Sequence, residues 1–536
     1  MLEQSDEVRR RQGGSAGADV VAVLEYPVKS DGLVIAERLV LSSDERRGLE
    51  VSVGDSRREI VAPLGFVKRD ISSSILGDSL AIRLLTPFQV VHGGEIIRQL
   101  ESHYLKRVIK RVTETVIESY ELAAVNVRLH PLYFLLRWIK AKLALMPSLA
   151  RLFWWLSAEE GLREKHLSTV MTRLKAALDE SSREEEGALQ KDGELYALNP
   201  SKVMRRHLAG GRPRLKLPFN PQATRVVREP AVAIGALRLL LAEAYPKAHV
   251  SLAEMEPEEW AFIKTFHGLQ PIASDEPLIE AIKKHLSLED AEVKLDRKGS
   301  ILNSTYLLQI YADGSLKEIL FVKRYFSWTD VKWVAAKLWA MPLRNFYFSP
   351  GTRMSNEVFF LSYLAEKGLR VPRVVYLSWG DKVLVENAIK GYNLTEAWTR
   401  ERGRIGDSLL EDITVVIGKM LAEVHEQDVV VGDCKPDNFM IAQPSFETWL
   451  VDLEQASLKG NKSWDLSELI LYMGHYLDPE DAERYASLIA RGYLSKGRPE
   501  VVEEALDSKY QLAMLPWTPI WTQVWMVRSV ERELRR

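Results

Sequence analysis

The chain has 536 residues, 46% apolar and 27% charged, a globular composition with room for about three domains that excludes a disordered, collagenous or multi-span membrane protein. Lysine plus arginine (72) nearly balances aspartate plus glutamate (74), so bulk charge argues for neither a nucleic-acid nor a membrane partner. The single cysteine, Cys434, excludes an intrachain disulfide and a multi-thiolate zinc site, and points to a reducing, cytoplasmic setting.

Residues 1–16 are polar and glycine-rich and read as a flexible tail, without the apolar core of a secretory signal. Short β-branched runs between Val20 and Val91, separated by Asp-Gly and Ser-rich turns, predict a β-rich module over residues 17–94. Residues 95–285 read as a mainly helical region of unknown role, opening with apolar residues at Ile97, Leu100, Tyr104, Leu105, Val108, Val112 and Val116.

Within that region Leu132–Leu156 is long and apolar enough to raise the question of a membrane span. Arg137, Lys140, Lys142 and Arg151 argue against it, since each would cost about 2.5–3.5 kcal/mol near a bilayer centre, and Pro147 interrupts the helix. A buried helical pair is the preferred reading. Peripheral membrane contact stays open, because no acid lies between Glu121 and Glu159. Further on, the acid-free run Lys202–Arg228 reads as a solvated surface or as a phosphate-backbone contact for RNA.

The chemistry lies in the last half. VVVGDCKPDNFMI (Val429–Ile441), followed by TWLVDLEQAS (Thr448–Ser457), sets an Asp-x-Lys-Pro-x-Asn cluster between apolar runs and then a second aspartate after a short strand. Phosphoryl transfer asks a protein to hold metal, neutralise developing charge and orient the attacking oxygen. Asp433 suits the substrate hydroxyl, Lys435 the transferring phosphoryl group, and Asn438 with Asp452 a Mg2+ ion.

This constellation resembles the protein-kinase-like fold, whose catalytic loop reads H-R-D-L-K-P-x-N and whose metal aspartate opens D-F-G. The resemblance implies an α+β, bilobal protein-kinase-like domain over residues 286–536, with a small lobe at about 286–386 and a large lobe at about 391–536. It implies ATP as donor, Lys323 in Phe321-Val-Lys-Arg as the α/β-phosphate ligand, and Glu357 as that lysine's partner. Gly299 and Ser300 would lie in the phosphate-covering loop, and backbone from Glu386 to Ala388 would meet adenine. Asp465 would brace the catalytic loop.

Departures from the family pattern also carry information. Val431-Gly432 replaces His-Arg and Leu453-Glu454 replaces Phe-Gly, while Asp465 comes only thirteen positions after Asp452 with no A-P-E segment. This reduced form is similar to the RIO kinases, the KEOPS-complex kinase and the archaeal RNA kinase, over about residues 290–480. The resemblance implies an atypical serine/threonine protein kinase with a protein substrate by default. An RNA or tRNA acceptor and a sugar or lipid-linked acceptor are the alternatives, and a nucleotide-binding pseudokinase scaffold is the reading of another class. An aromatic, cationic insert between Lys323 and Glu357 reads as an extra helix or a substrate surface. The match of Arg137–Pro147 to Lys332–Pro342 at six of eleven positions raises a degenerate kinase-lobe repeat over residues 128–164. His425 and Cys434 read as packing residues, and the aromatic C-terminal segment Leu515–Met526 as a docking element without an assigned target.

Overall fold

The computed structural model describes residues 19–30, 32–46, 48–53, 57–185, 187–209, 255–274, 276–298, 304–326 and 346–536, with isolated positions 234, 237 and 239. The chain divides into two compact units. One comprises Met1–Glu118, Arg128–Lys202 and Gly211–Ala261; the other comprises Ser119–Val127, Val203–Gly210 and Phe262–Arg536.

The first unit is built on a sheet of β1 (Val20–Ser30), β2 (Leu33–Ser42), β3 (Glu50–Val53), β4 (Arg57–Pro63) and β5 (Gln89–His92), in the order β3-β4-β2-β1-β5. Strand β1 buries Ala22, Leu24, Tyr26 and Val28 in strict alternation, so one face of the sheet is core. The helix α1 (Gly94–Tyr120) buries the apolar stripe read from its spacing, from Ile97 to Val116. β6 (Val127–Leu129), β7 (Leu189–Asp192) and β8 (Leu195–Leu198) pair antiparallel, so the stretch expected to be mainly helical also contains short strands.

Leu132–Leu156 folds as α2 (Pro131–Leu145), capped by the His130 side chain, followed by a tight 3-10 run at Pro147–Ser157, after which α3 (Glu160–Arg183) begins. Leu132–Leu136, Trp138, Leu149, Leu152, Phe153 and Trp155 are all buried, which removes the apolar face that peripheral membrane contact would need. No helix among the described residues is long and apolar enough to cross a membrane. Arg151 turns inward. With Arg58 and Arg83 it surrounds the fully buried Glu37, which also accepts a hydrogen bond from Tyr26 at 2.5 Å.

In the second unit β11 (Glu292–Lys298), β12 (Ser304–Ala312), β13 (Ser315–Arg324), β14 (Val374–Ser378) and β15 (Val383–Asn387) form an antiparallel sheet in the order β11-β12-β13-β15-β14. Asp313 and Gly314 both take positive φ, 52° and 70°, the backbone of the two-residue turn that joins twisted strands. The short strands β9 (Ala261–Thr265) and β10 (Gly268–Pro271) precede α4 (Leu278–His285), whose Ala281 and Ile282 pack into the sheet core against Leu308, Ile310, Leu320 and Val385. The helix α5 (Pro350–Glu366) starts at a Ser349 cap and is buried along most of its length.

The large lobe carries a small sheet of β16 (Gly391–Asn393), β17 (Phe439–Ala442) and β18 (Thr448–Leu450). Its helices include α6 (Asp407–Glu426), α7 (Lys462–Tyr472), α8 (Pro479–Leu494), α9 (Ser508–Met514) and α10 (Ile520–Leu534). Helices α6 and α8 cross at Gly418 and Gly492, where an added Cβ would strike the Ile489 and Val415 carbonyls. The architecture is α+β, with a β-rich start and a bilobal C-terminal region.

Candidate active site

Lys323 lies near the end of β13, opposite Leu384 of β15, and its side chain is buried. Its ammonium bonds Glu357 and lies 3.2 Å from Asp452 Oδ1. Burial alone would drive this lysine toward the neutral amine, but Asp452, Glu357, Glu386 and Glu454 outweigh it and hold the pKa well above the usual range. Glu357 sits mid-helix in α5 rather than at its head, and Tyr325 Oη also donates to it. The outer face of α5 is covered by Ser119–Val127: Ala123 N donates to Ser355 Oγ (2.9 Å), and Ser355 Oγ donates to the Tyr120 carbonyl (2.8 Å). The carboxylate partner of Lys323 is therefore fixed from both sides.

The catalytic loop is pinned through its backbone. Asp465, buried in the first turn of α7, accepts from Val431 N (2.6 Å) and Gly432 N (2.8 Å), and Glu468, one turn on, accepts from Cys434 N (2.8 Å). Gly432 takes φ 84°, which the missing Cβ permits. His425 bridges Asp465 (3.2 Å) and the Tyr493 hydroxyl (2.7 Å), away from Asp433. Lys435 Nζ lies 2.9 Å from Asp433 Oδ1, and the Asp433 charge raises the lysine pKa further. Asn438 Nδ2 donates to the Asp433 carbonyl at 2.7 Å, while Val451 N donates to the Asn438 carbonyl at 2.9 Å, so the loop and the Asp452 strand are stitched together.

Asp452 holds φ at 61°, a strained value for a non-glycine residue, and its side chain keeps 34% of its surface open. With Asn438 Nδ2 already spent, its Oδ1 remains as an acceptor, and Asp452 adds a carboxylate. These hard oxygen donors fit Mg2+, which takes few protein carboxylates and keeps water or phosphate in its other positions.

Several residues at the site were not singled out by the sequence reading. Arg353, one helical turn before Glu357 on α5, makes two 2.7 Å bonds to the Glu454 carboxylate, and Asn356 Nδ2 donates to the Glu454 carbonyl at 3.3 Å. Glu454, noted only as a departure from Phe-Gly, is thus the residue that fastens the Asp452 segment to α5. No local spacing signals this pair, because 101 residues separate its members. Oxygens of Glu357, Asp452 and Glu454 lie within 4.8 Å of one another. Burial, with help from Asp452, pushes Glu454 up to about 7 against the pull of Arg353.

Of the backbone from Glu386 to Ala388, part is already engaged. The Ala388 amide donates to the Ile319 carbonyl at 2.9 Å and is spent on strand pairing. At Glu386 the side chain carries the interest: it is buried beside Lys323 and Glu357, and burial followed by the Glu357 charge drives its pKa well up. A cavity of about 380 Å3 beside Asn387–Lys390 and Trp449 includes none of Lys323, Asp433 or Asp452. Gly299 and Ser300 lie outside the described residues, as do Lys332–Pro342 and most of the aromatic insert. At the end of that insert, Tyr347 exchanges backbone bonds with the Gln455 side chain (2.9 and 3.1 Å), anchoring it to the Asp452 segment. Beyond Ala209, the basic run also lies outside the described residues up to Arg228.

Residues 317–484 match the family model described as the lipopolysaccharide kinase (Kdo/WaaP) family, and no curated protein matches the chain. The match spans the strand bearing Lys323, the helix bearing Glu357 and the loop from Asp433 to Asp465. It overturns the protein substrate taken by default and the RNA contact offered beside it, because the matching kinases are named for lipopolysaccharide; the membrane contact expected of Leu132–Leu156 fails instead on the burial of that segment. The C-terminal region is a phosphotransferase of the kinase class, within the protein-kinase-like superfamily and similar to the lipopolysaccharide kinases.

Proposed function

We propose that this chain is a Mg-ATP-dependent kinase that phosphorylates a sugar hydroxyl of a lipid-linked saccharide. The observation that carries the reading is the match of residues 317–484 to the lipopolysaccharide kinase family, laid over the joined set Lys323, Glu357 and Asp452. Lys323 binds the α- and β-phosphates, and Glu357 positions it. Asn438 and Asp452 would hold Mg2+, which would neutralise phosphate charge. Asp433 orients the acceptor hydroxyl and takes its proton as the oxygen attacks the γ-phosphorus. The bond to the β-phosphate oxygen breaks and ADP leaves. Lys435, held charged by Asp433, offsets negative charge on the transferring group. Asp465 braces the loop.

The short path from Asp452 to α7, which begins at Lys462, supports a compact acceptor. It leaves no platform on which an extended peptide could lie, whereas a sugar hydroxyl needs only the space before Asp433. Radiolabelled ATP offered with purified lipopolysaccharide, with protein extract and with total RNA tests this. Label is expected in the saccharide with wild type and nowhere with Asp433→Ala. Label confined to protein or RNA would sink the acceptor reading.

A further inference from the structure

The C-terminal helix α10 is inverted for a surface helix. Its inward face carries Thr522, Gln523 and Ser529 beside Met526 and Val530, while Ile520, Trp521, Val524 and Trp525 are 56%, 65%, 39% and 47% exposed. On the inward face Gln523 Nε2 donates to the Thr518 carbonyl (2.8 Å) and Ser529 Oγ to the Met526 carbonyl (2.7 Å), while Gln523 Oε1 is buried without a hydrogen-bond partner. The outward residues recur at i, i+1, i+4 and i+5, so they form one stripe, and Leu512 and Leu515 just upstream are exposed as well. Two indoles and two branched aliphatic side chains on one open stripe mark a face built to be covered.

The charge pattern indicates what covers it. Ser508–Val530 contains no aspartate or glutamate but holds Lys509 and Arg528. Lys509 is paired with Glu504, and beyond the stripe Arg532 is paired with Glu483. Arg528 instead lies over the Trp525 ring, 5.8 Å from its centroid, with no ion pair to a carboxylate among the described residues. Indoles beside a guanidinium, with no acid between them, match the boundary where acyl chains give way to anionic headgroups. We propose that α10 docks the kinase domain on an anionic bilayer surface. The inference rests on the reading of a lipid-linked acceptor and concerns a different element from Leu132–Leu156, whose apolar face is buried.

The test mixes the full chain with vesicles of phosphatidylcholine alone or of phosphatidylcholine with phosphatidylglycerol, reading co-sedimentation and tryptophan emission. Wild type is expected to bind the anionic vesicles with a blue shift and the neutral ones weakly. Trp521→Ala with Trp525→Ala should lower partitioning about tenfold or more. Arg528→Glu should lower it about fivefold or more on anionic vesicles alone. Both variants should keep the wild-type thermal midpoint and the wild-type rate on a water-soluble saccharide. Wild type that ignores both vesicle types, or a tryptophan variant that binds like wild type, overturns the proposal. So does a wild-type dimer that the same substitutions dissolve in the absence of vesicle binding. Vesicle binding with no phosphate transfer to any saccharide would instead sink the acceptor reading and leave docking standing; transfer without vesicle binding does the reverse.

Discussion

The two units each bury an ion cluster, built from the same residue types in opposite proportion. In the first, Glu37 is ringed by Arg58, Arg83 and Arg151; in the second, Lys323 and Arg353 sit among Glu357, Glu386, Asp452 and Glu454. The Glu37 cluster is closed, with the side chains of Glu37, Arg83 and Arg151 fully buried. The acidic cluster is open at one corner, where Asp452 reaches solvent. A closed cluster of surplus cations can only hold its own strands and helices together. An open cluster of surplus acids can take up a further cation, which makes it the one suited to a metal-dependent reaction.

Removing the open corner is the strongest way to test that contrast. Asp452→Ala should lower phosphoryl transfer about a thousandfold, because charge stabilisation at the transferring group is lost. The thermal midpoint should stay close to wild type, since the residue is partly exposed and Lys323 keeps Glu357. Steady-state kinetics with a calorimetric scan reads both. A variant that unfolds instead would make Asp452 a structural member like Glu37.

Next in size is the buried pair that joins the two halves of the acidic cluster. Arg353→Ala strands the Glu454 carboxylate in a buried site and should destabilise the second unit by about 3–5 kcal/mol. Activity should fall with it, because α5 carries Glu357 as well as Arg353 and the Asp452 segment loses its anchor. Combining Arg353→Met with Glu454→Leu should recover stability without recovering full kcat, which separates holding the fold from positioning Asp452. Recovery of both would make the pair purely structural.

The legibility of these clusters in sequence follows their spacing. Asp433, Lys435, Asn438 and Asp452 sit within one short stretch, and Asp465 follows close enough in sequence to accept the Val431 and Gly432 amides. Lys323 and Glu357 were readable only as members of that series. The Arg353–Glu454 bond spans 101 residues and the Glu37–Arg151 pair 114, and no local periodicity encodes pairings of that length. Leu132–Leu156 was ambiguous because burial against protein and burial against lipid require the same composition. Only the inward turn of Arg151 onto Glu37 separates them. The Glu386 side chain was missed because a hinge is read through its backbone.

The closed cluster makes its own prediction. Burial alone would raise Glu37, but Arg83, Arg151 and Arg58 outweigh it and lower its pKa from 4.5 to about 2. A depressed carboxylate contributes stability that is present above its unfolded value and is lost as pH falls through the folded one. The first unit should therefore lose on the order of 3 kcal/mol between pH 4.5 and about 2. Hydrogen exchange of the β1 and β2 amides reads this, and Glu37→Gln should start less stable and lack that part of the acid slope. An unchanged slope would mean that the three guanidiniums do not act on Glu37.

The smallest expected effect is the most discriminating within the acidic cluster. Glu386 Oε1 is buried with no hydrogen-bond partner, and Glu357 lies beside it. An ionised carboxylate there would carry a desolvated charge beside a like charge, whereas the neutral acid carries no charge to desolvate or to repel. Glu386→Gln copies the neutral acid in shape and charge. It should keep kcat/KM for ATP within about threefold of wild type, as expected where an uncharged group replaces an uncharged group. The sign also fixes the pH behaviour: an acid raised in the fold contributes stability at low pH that is lost as pH climbs through its folded value, and Gln should flatten that alkaline loss. Activity falling as far in Glu386→Gln as in Glu386→Ala would show that the residue works as a charge, and the acidic surplus around Lys323 would then be larger by one.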